Sequence, residues 1–224
     1  MKIVAILQAR IGSTRLPGKV LLPLAGKPML ANIMERVQRA EMIDGIAVTY
    51  PERDREIRAI ATRGDACSAG WNGDEADLIG RYLDIAEGQR ADLIVRIPCD
   101  NPCVDPDYID QAVEAYLRDP FVYYSNTTAE CDGVRLDGIG AEVMSLSRLR
   151  WLDERTRGNP VWREHPHRYF EDCGLLSLPQ ADYRLDVNTQ ADYEFIQGIY
   201  DHFGHNRFTS SEVLGYLQAV GVTR

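Results

Sequence analysis

Between Gln8 and Lys19 the chain reads Gln-Ala-Arg-Ile-Gly-Ser-Thr-Arg-Leu-Pro-Gly-Lys, so twelve residues hold two glycines, two adjacent hydroxyls and three cations. That mixture suits a polyphosphate. Glycines let backbone N–H groups approach phosphate oxygens, and Arg10, Arg15 and Lys19 can neutralise the charge that grows on a leaving pyrophosphate. The loop does not fit G-x-x-x-x-G-K-[ST], because Val20 follows Lys19, and it does not fit G-x-G-x-x-G, so a P-loop ATPase and a dinucleotide enzyme are disfavoured. From Met1 to Met34 there are five cations (Lys2, Arg10, Arg15, Lys19, Lys27) and no carboxylate, in a chain whose formal net charge is −9. Such an island is an ordinary solvated face or an anion site, and the glycines favour the second.

Other side chains extend the chemistry. Asp100 follows an apolar run, Leu93 to Ile97, and a carboxylate there suits a magnesium ion held against a triphosphate, or equally the cap of the next turn. Arg135, Glu142, Arg163, Glu164 and His165, with His167 and Arg168, gather polar and basic groups of the kind an anionic acceptor needs, although each alone suits an exposed surface. Cys99 and Cys103 have no second cysteine pair and the histidines lack ligand spacing, which argues against zinc. Trp71, Trp151 and Trp162 read as packing residues.

The elements that must position these groups alternate. Lys2 to Ala9 reads as a buried strand, the glycine loop follows, and a helix begins near Pro28 with apolar residues at helical spacing. Further strands are expected at 46–49, 66–69 and 93–97, with helices at 52–63, 75–87 and 108–117 between and after them. This is a βαβ pattern with a mostly parallel sheet, whose ligand loops lie at the carboxyl ends of the strands. Beyond an apolar patch at 121–124, residues 127–140 read as irregular and suggest a lid or an insertion. A strand at 142–144, short helices at 146–153 and 164–170, a strand at 183–187, and helices at 190–203 and 210–217 complete the pattern.

The chain of 224 residues is expected to form a single domain, 1–224, with an embedded acceptor, lid or dimerisation subregion around 127–172. Its acidity argues against a nucleic-acid partner. Five cysteines without a Cys-x-x-Cys pair fit a reducing compartment. Only seven uncharged residues separate Lys2 from Arg10, and no apolar run of membrane-spanning length occurs, so a cytoplasmic protein with no membrane partner is expected.

Gln8 to Leu21 resembles the signature loop of the cytidylyltransferase family that makes CMP-activated acidic sugars. It is most similar to the spore-coat polysaccharide branch, in which a strand runs into Q-A-R-x-G-S-T-R-L-P-G-K-V-L. The likeness continues through Gly26-Lys27-Pro28, Gly73-Asp74 with Asp77 and Arg81, Arg96 to Asp100, Ser125 to Thr127, Arg163-Glu164-His165 and Arg184 to Glu194. It implies a three-layer α/β/α fold of the nucleotide-diphosphosugar-transferase type, Mg²⁺-dependent transfer of CMP from CTP to a small anionic acceptor, and a homodimer. Carried onto this chain, it makes Arg10, Arg15, Lys19 and Asp100 catalytic. It makes Gln8, Ala9, Arg10, Gly12, Ser13, Arg15, Lys19, Gly73, Asp77 and Arg81 nucleotide-binding, and Asn72, just before the matching Gly73-Asp74, is expected to touch the base. Asp100 is the first metal ligand. Relatives place a second acid in a V-D-x-P-E-D-like stretch, and here Asn188 stands at that position, with Asp186 two residues earlier on the same strand face as the substitute ligand. The loss of an acid keeps open a non-catalytic nucleotide-binding or scaffold protein. A sugar-nucleotide-dependent glycosyltransferase is a weaker alternative because it leaves the cationic loop unexplained.

Overall fold

Strand β1 (Ile3–Gln8) is apolar at every position before Gln8, as a strand covered on both faces must be. In the computed structural model, which describes residues 1–120, 123–176 and 179–222, it lies within the central sheet. The chain continues through a single turn of 3-10 helix at Lys19–Leu21, the two-residue strands β2 (Pro23–Leu24) and β3 (Lys27–Pro28), and helix α1 (Met29–Val37). Then come β4 (Gly45–Pro51), α2 (Arg55–Arg63), β5 (Cys67–Trp71), α3 (Leu78–Gly88), β6 (Leu93–Pro98) and α4 (Pro106–Arg118). The second half holds β7 (Tyr124–Ser125), β8 (Thr128–Cys131), β9 (Val134–Asp137), β10 (Glu142–Ser145), α5 (Leu146–Thr156), α6 (Pro160–Glu164), α7 (Pro166–Asp172), β11 (Tyr183–Arg184), α8 (Gln190–Phe203) and α9 (Ser210–Ala219).

The central sheet has the order β5-β4-β1-β6-β10-β7, parallel from β5 to β6 and antiparallel at β10. From β1 the chain first builds outward through β4 and β5, then crosses to β6 on the other side. The strand order therefore reverses between β1 and β6, and a crevice opens beyond their carboxyl ends. Alternation assigns the faces. Ile3, Ala5 and Leu7 join a core with α1, α2, α4, α8 and α9, while Val4 and Ile6 join a second core with α3, α5 and α7. These are the three layers of an α/β/α protein. Arg36, fully buried, donates to the carbonyls of Val104 (2.6 Å), Asn206 (2.6 Å) and Phe208 (3.0 Å), and so anchors the segment that follows β6.

Two expectations are corrected. Residues 127–140 are not irregular: β8 and β9 form a hairpin, with Cys131 opposite Val134, and β11 adds to it as a third strand. Its two-residue turn has positive φ at both Asp132 (50°) and Gly133 (80°), the turn that matches strand twist and that Asp-Gly supplies. The strand expected at 183–187 is paired only at Tyr183–Arg184; beyond it Leu185 N–H donates to Asp137 O and Val187 N–H to Asp100 O (2.7 Å), which docks this limb beside β6. Of the apolar patch at 121–124, Phe121 and Val122 lie outside the described residues. Among the described residues no helix is long and apolar enough to cross a membrane.

Candidate active site

A cleft of about 240 Å³ opens at the point where the strand order reverses. Strand alternation splits its wall into two ends. Gln8 lies on the Ile6 face of β1, toward α3, and Arg96 lies on the Ile94 face of β6, the same side. The glycine loop, Asp100 and Asn188 form the other end.

At the loop end the cations converge. Gly18, at φ 72°, turns the chain so that its N–H returns to Ile11 O (2.8 Å), while Ile11 N–H is held by Asp54 (2.8 Å). The N–H groups of Ser13, Gly18 and Lys19 bond to the loop's own carbonyls, so the expected backbone cradle is partly spent on the turn. The side chains take over: Lys19 Nζ donates to Asp100 Oδ2 (3.1 Å), Val187 O (2.7 Å) and Asn188 Oδ1 (3.3 Å), and Arg15 Nη2 donates to the same Asn188 oxygen (2.7 Å). Arg10, Ser13 and Thr14 also line the cleft, with Arg10 near enough to Arg81 to disfavour its charge.

The α3 end is buried and carries unmet hydrogen-bonding capacity. Arg81 is only 2% exposed, yet among the described residues its Nε and Nη2 have no hydrogen-bond partner, and the Oε1 of Gln8 is likewise buried and unbonded. Burial pulls the Arg81 guanidinium below its usual pKa. Unmet groups of opposite polarity facing one cleft are costly unless a ligand completes them. Arg96 is satisfied from within: it donates to Tyr82 OH (2.9 Å) and pairs with Glu142, the residue directly opposite it on β10. Burial alone would depress Arg96, but the Glu142 carboxylate holds its pKa well above the usual value. Cys99 lines the cleft too; burial, then the neighbouring Asp100, pushes its pKa up and keeps it a thiol, which leaves no activated sulfur nucleophile there.

The remaining expected site residues divide. Ala9, Glu164 and His165 line the cleft. Asp77 caps α3 through Gly80 N–H and is bridged by Arg163, which also pairs with Asp153, so this pair fixes α6 against α3 and holds the adjacent Glu164 and His165 at the rim. Asn72, Gly73 and Gly12 do not line it. Arg135 lies on the β8–β9 hairpin paired with Asp182, and Glu142 is the buried partner of Arg96, and neither lines the cleft. Asp186 does not line the cleft either: Arg184 (2.7 Å) and Asn188 Nδ2 occupy its carboxylate. Sequence reasoning missed Arg96 as a wall residue, though a cation inside the apolar run 93–97 was a visible signal; for Glu75, which lines the rim and pairs with Arg53, no local signal exists.

For magnesium, the donor set decides the fit. Among the described residues no three His, Cys, Asp or Glu side chains converge. Asp100 lines the cleft as a carboxylate, with Asn188 also in its wall and both bonded to Lys19. Magnesium is commonly held by one or two carboxylates with substrate phosphates and water completing the shell, so Asp100 meets the minimum.

Comparison with known proteins agrees with this geometry. The sequence profile of the family described as cytidylyltransferase matches residues 4–136. The chain is 29% identical over 233 residues to the spore coat polysaccharide biosynthesis protein SpsF of Bacillus subtilis, covering 95% of this chain and 92% of that protein. It is 38% identical over 120 residues to the 3-deoxy-manno-octulosonate cytidylyltransferase of Trichlorobacter lovleyi, covering 54% of this chain and 47% of that one. A solved cytidylyltransferase from Leptospira borgpetersenii superposes with a TM-score of 0.86 at 28% identity, over 99% of this chain and 95% of the other. With a cationic loop at the switch point of a three-layer sheet and a profile spanning more than half its length, the chain belongs to the cytidylyltransferase family of CTP-dependent nucleotidyltransferases.

Proposed function

We propose that the protein transfers CMP from CTP to a small anionic acceptor, a sugar acid or a phosphoryl or phosphonyl compound, with release of pyrophosphate. The observation that carries this reading is that Arg10, Arg15 and Lys19 line one cleft with Asp100, which Lys19 pairs directly. An acceptor oxygen attacks the α-phosphorus in line with the departing pyrophosphate. The three cations hold the phosphates and stabilise the charge that builds on the leaving group, in positions fixed before the reaction begins. Magnesium on Asp100, part of the proposal, would add Lewis-acid charge neutralisation.

The α3 end suits the base. Cytosine presents an amino donor beside two acceptors, N3 and O2, and the unbonded Gln8 Oε1 and Arg81 N–H groups offer the complement. Uracil would turn its N3–H against the Arg81 donors. The acceptor class is supported by the names of relatives, one a 3-deoxy-manno-octulosonate cytidylyltransferase and one a polysaccharide biosynthesis protein. Glu164 and His165 line the same cleft and are the groups assigned here to the acceptor. Calorimetric titration with CTP, UTP, ATP and GTP in magnesium buffer tests the nucleotide assignment: CTP should bind at least tenfold more tightly than the others, and a purine or uridine preference would overturn it.

A further inference from the structure

Asn188 occupies the position where the resemblance expects a carboxylate, and its surroundings show what an amide does there. Its Oδ1 accepts from Arg15 Nη2 at 2.7 Å and lies 3.3 Å from Lys19 Nζ, while its Nδ2 donates to Asp186, whose charge is met by Arg184. Its own N–H donates to Asp192, in the first turn of α8 (3.1 Å). Both ends of the amide are thus assigned, and the oxygen is turned to the two cations. Both cations reach it from the glycine loop, across more than 160 residues of chain.

We infer that Asn188 is a neutral positioning residue: its carbonyl brackets Arg15 and Lys19 in the cleft without cancelling their charge, so that the loop end binds a polyphosphate before any metal does. The electrostatics follow from the count of groups. With Asn188, Arg15 and Lys19 share one neutral acceptor, and among the hydrogen bonds they make with the described residues the one to a carboxylate is that of Lys19 to Asp100, so of these two cations one positive charge is left over. An aspartate at 188 would make two carboxylates against two cations, and an incoming triphosphate would have to displace an ion pair rather than a neutral hydrogen bond. A carbonyl that merely filled a metal corner would have no need to bind both cations. This inference rests on the phosphate end of the proposed site but not on the identity of the base or the acceptor.

The test is calorimetric binding of inorganic tripolyphosphate in EDTA to wild type, Asn188→Asp, Asn188→Ala and the Arg15→Gln and Arg15→Gln/Asn188→Ala pair. Wild type should bind without metal. Asn188→Asp should bind at least tenfold more weakly, about 1.4 kcal/mol, and Asn188→Ala several-fold more weakly with an unchanged melting temperature. In the Arg15→Gln background the alanine substitution should lose most of its effect, because one of the bracket's two clients is gone. Equal tripolyphosphate affinity for wild type and Asn188→Asp in EDTA overturns the inference, as does an alanine effect undiminished by Arg15→Gln. An Asn188→Asp protein that gains affinity once Mg²⁺ is added, with none lost in EDTA, also overturns it and assigns the position to the metal. If wild type fails to bind tripolyphosphate without metal yet releases pyrophosphate from CTP with Mg²⁺, the inference falls and the proposed function stands. Normal metal-free binding with no turnover does the reverse.

Discussion

Replacing Glu142 with glutamine should destabilise the protein far more than most single substitutions. Glu142 is 5% exposed and Arg96 is 7% exposed, and the two face each other across the β6–β10 ladder with Tyr82 OH as the guanidinium's other partner. The amide keeps the shape and leaves the Arg96 charge without its counter-ion in a buried site. Breaking such a pair from one side costs about 3–5 kcal/mol. For a chain of this size each kcal/mol moves the midpoint by about 2–4 °C, which gives a fall of roughly 6–20 °C. The double replacement Arg96→Met with Glu142→Leu removes both charges, and should lose less than the single mutant, because no charge remains to be desolvated. Urea denaturation of wild type, Arg96→Met, Glu142→Leu and the double replacement completes the cycle, with Glu142→Gln measured beside it. A Glu142→Gln loss below about 1 kcal/mol, or a double mutant as costly as the two single replacements summed, would refute the reasoning. Because Arg96 lines the cleft, the glutamine variant should also bind anions more tightly even as its midpoint falls.

Lys19→Ala removes the ammonium that bridges Asp100, Val187 and Asn188, and should cut turnover by roughly 10²-fold or more in steady-state assays, as expected for a pre-positioned charge at a developing anion. Arg81→Met should separate binding from stability: removing a buried guanidinium with two unbonded nitrogens among the described contacts should leave the thermal midpoint equal or higher, while calorimetry shows CTP affinity reduced tenfold or more. His167 has a folded pKa below its usual value, first because burial disfavours the imidazolium, with Arg96 and His165 adding and Glu142 and Glu171 opposing. The unfolded chain therefore takes up that proton more readily, so this stability is present above about pH 6.5 and is lost as pH falls through that value toward the folded pKa. In thermal scans at several pH values, the acid-side loss should be smaller in His167→Gln.

The parts of this structure that were legible in the sequence are those set by neighbours in the chain. β1 is readable because Ile3 to Leu7 is an unbroken apolar run, and α8 because Thr189 and Asp192 form a capping box immediately before its apolar positions. The cationic loop was readable because its chemistry lies within one turn of chain. The hairpin was obscured by acidic residues that break the alternation of β8 and β9, although Asp132-Gly133 carried its turn signal. Residues whose roles depend on distant partners were not readable. Nothing near Glu142 announces Arg96, since their pairing is a matter of antiparallel register, and nothing near Asp186 says that the Asn188 amide rather than its carboxylate faces the loop cations.

The central claim is that this cleft moves CMP from CTP to an acceptor oxygen. It is tested most directly by phosphorus NMR of the purified protein with CTP, Mg²⁺ and a panel of sugar acids and phosphorylated or phosphonylated small molecules. The account predicts stoichiometric pyrophosphate and a CMP conjugate with at least one acceptor, both strongly reduced in Lys19→Ala. CTP that binds but stays intact with every acceptor, or pyrophosphate formed equally by wild type and Lys19→Ala, would contradict it.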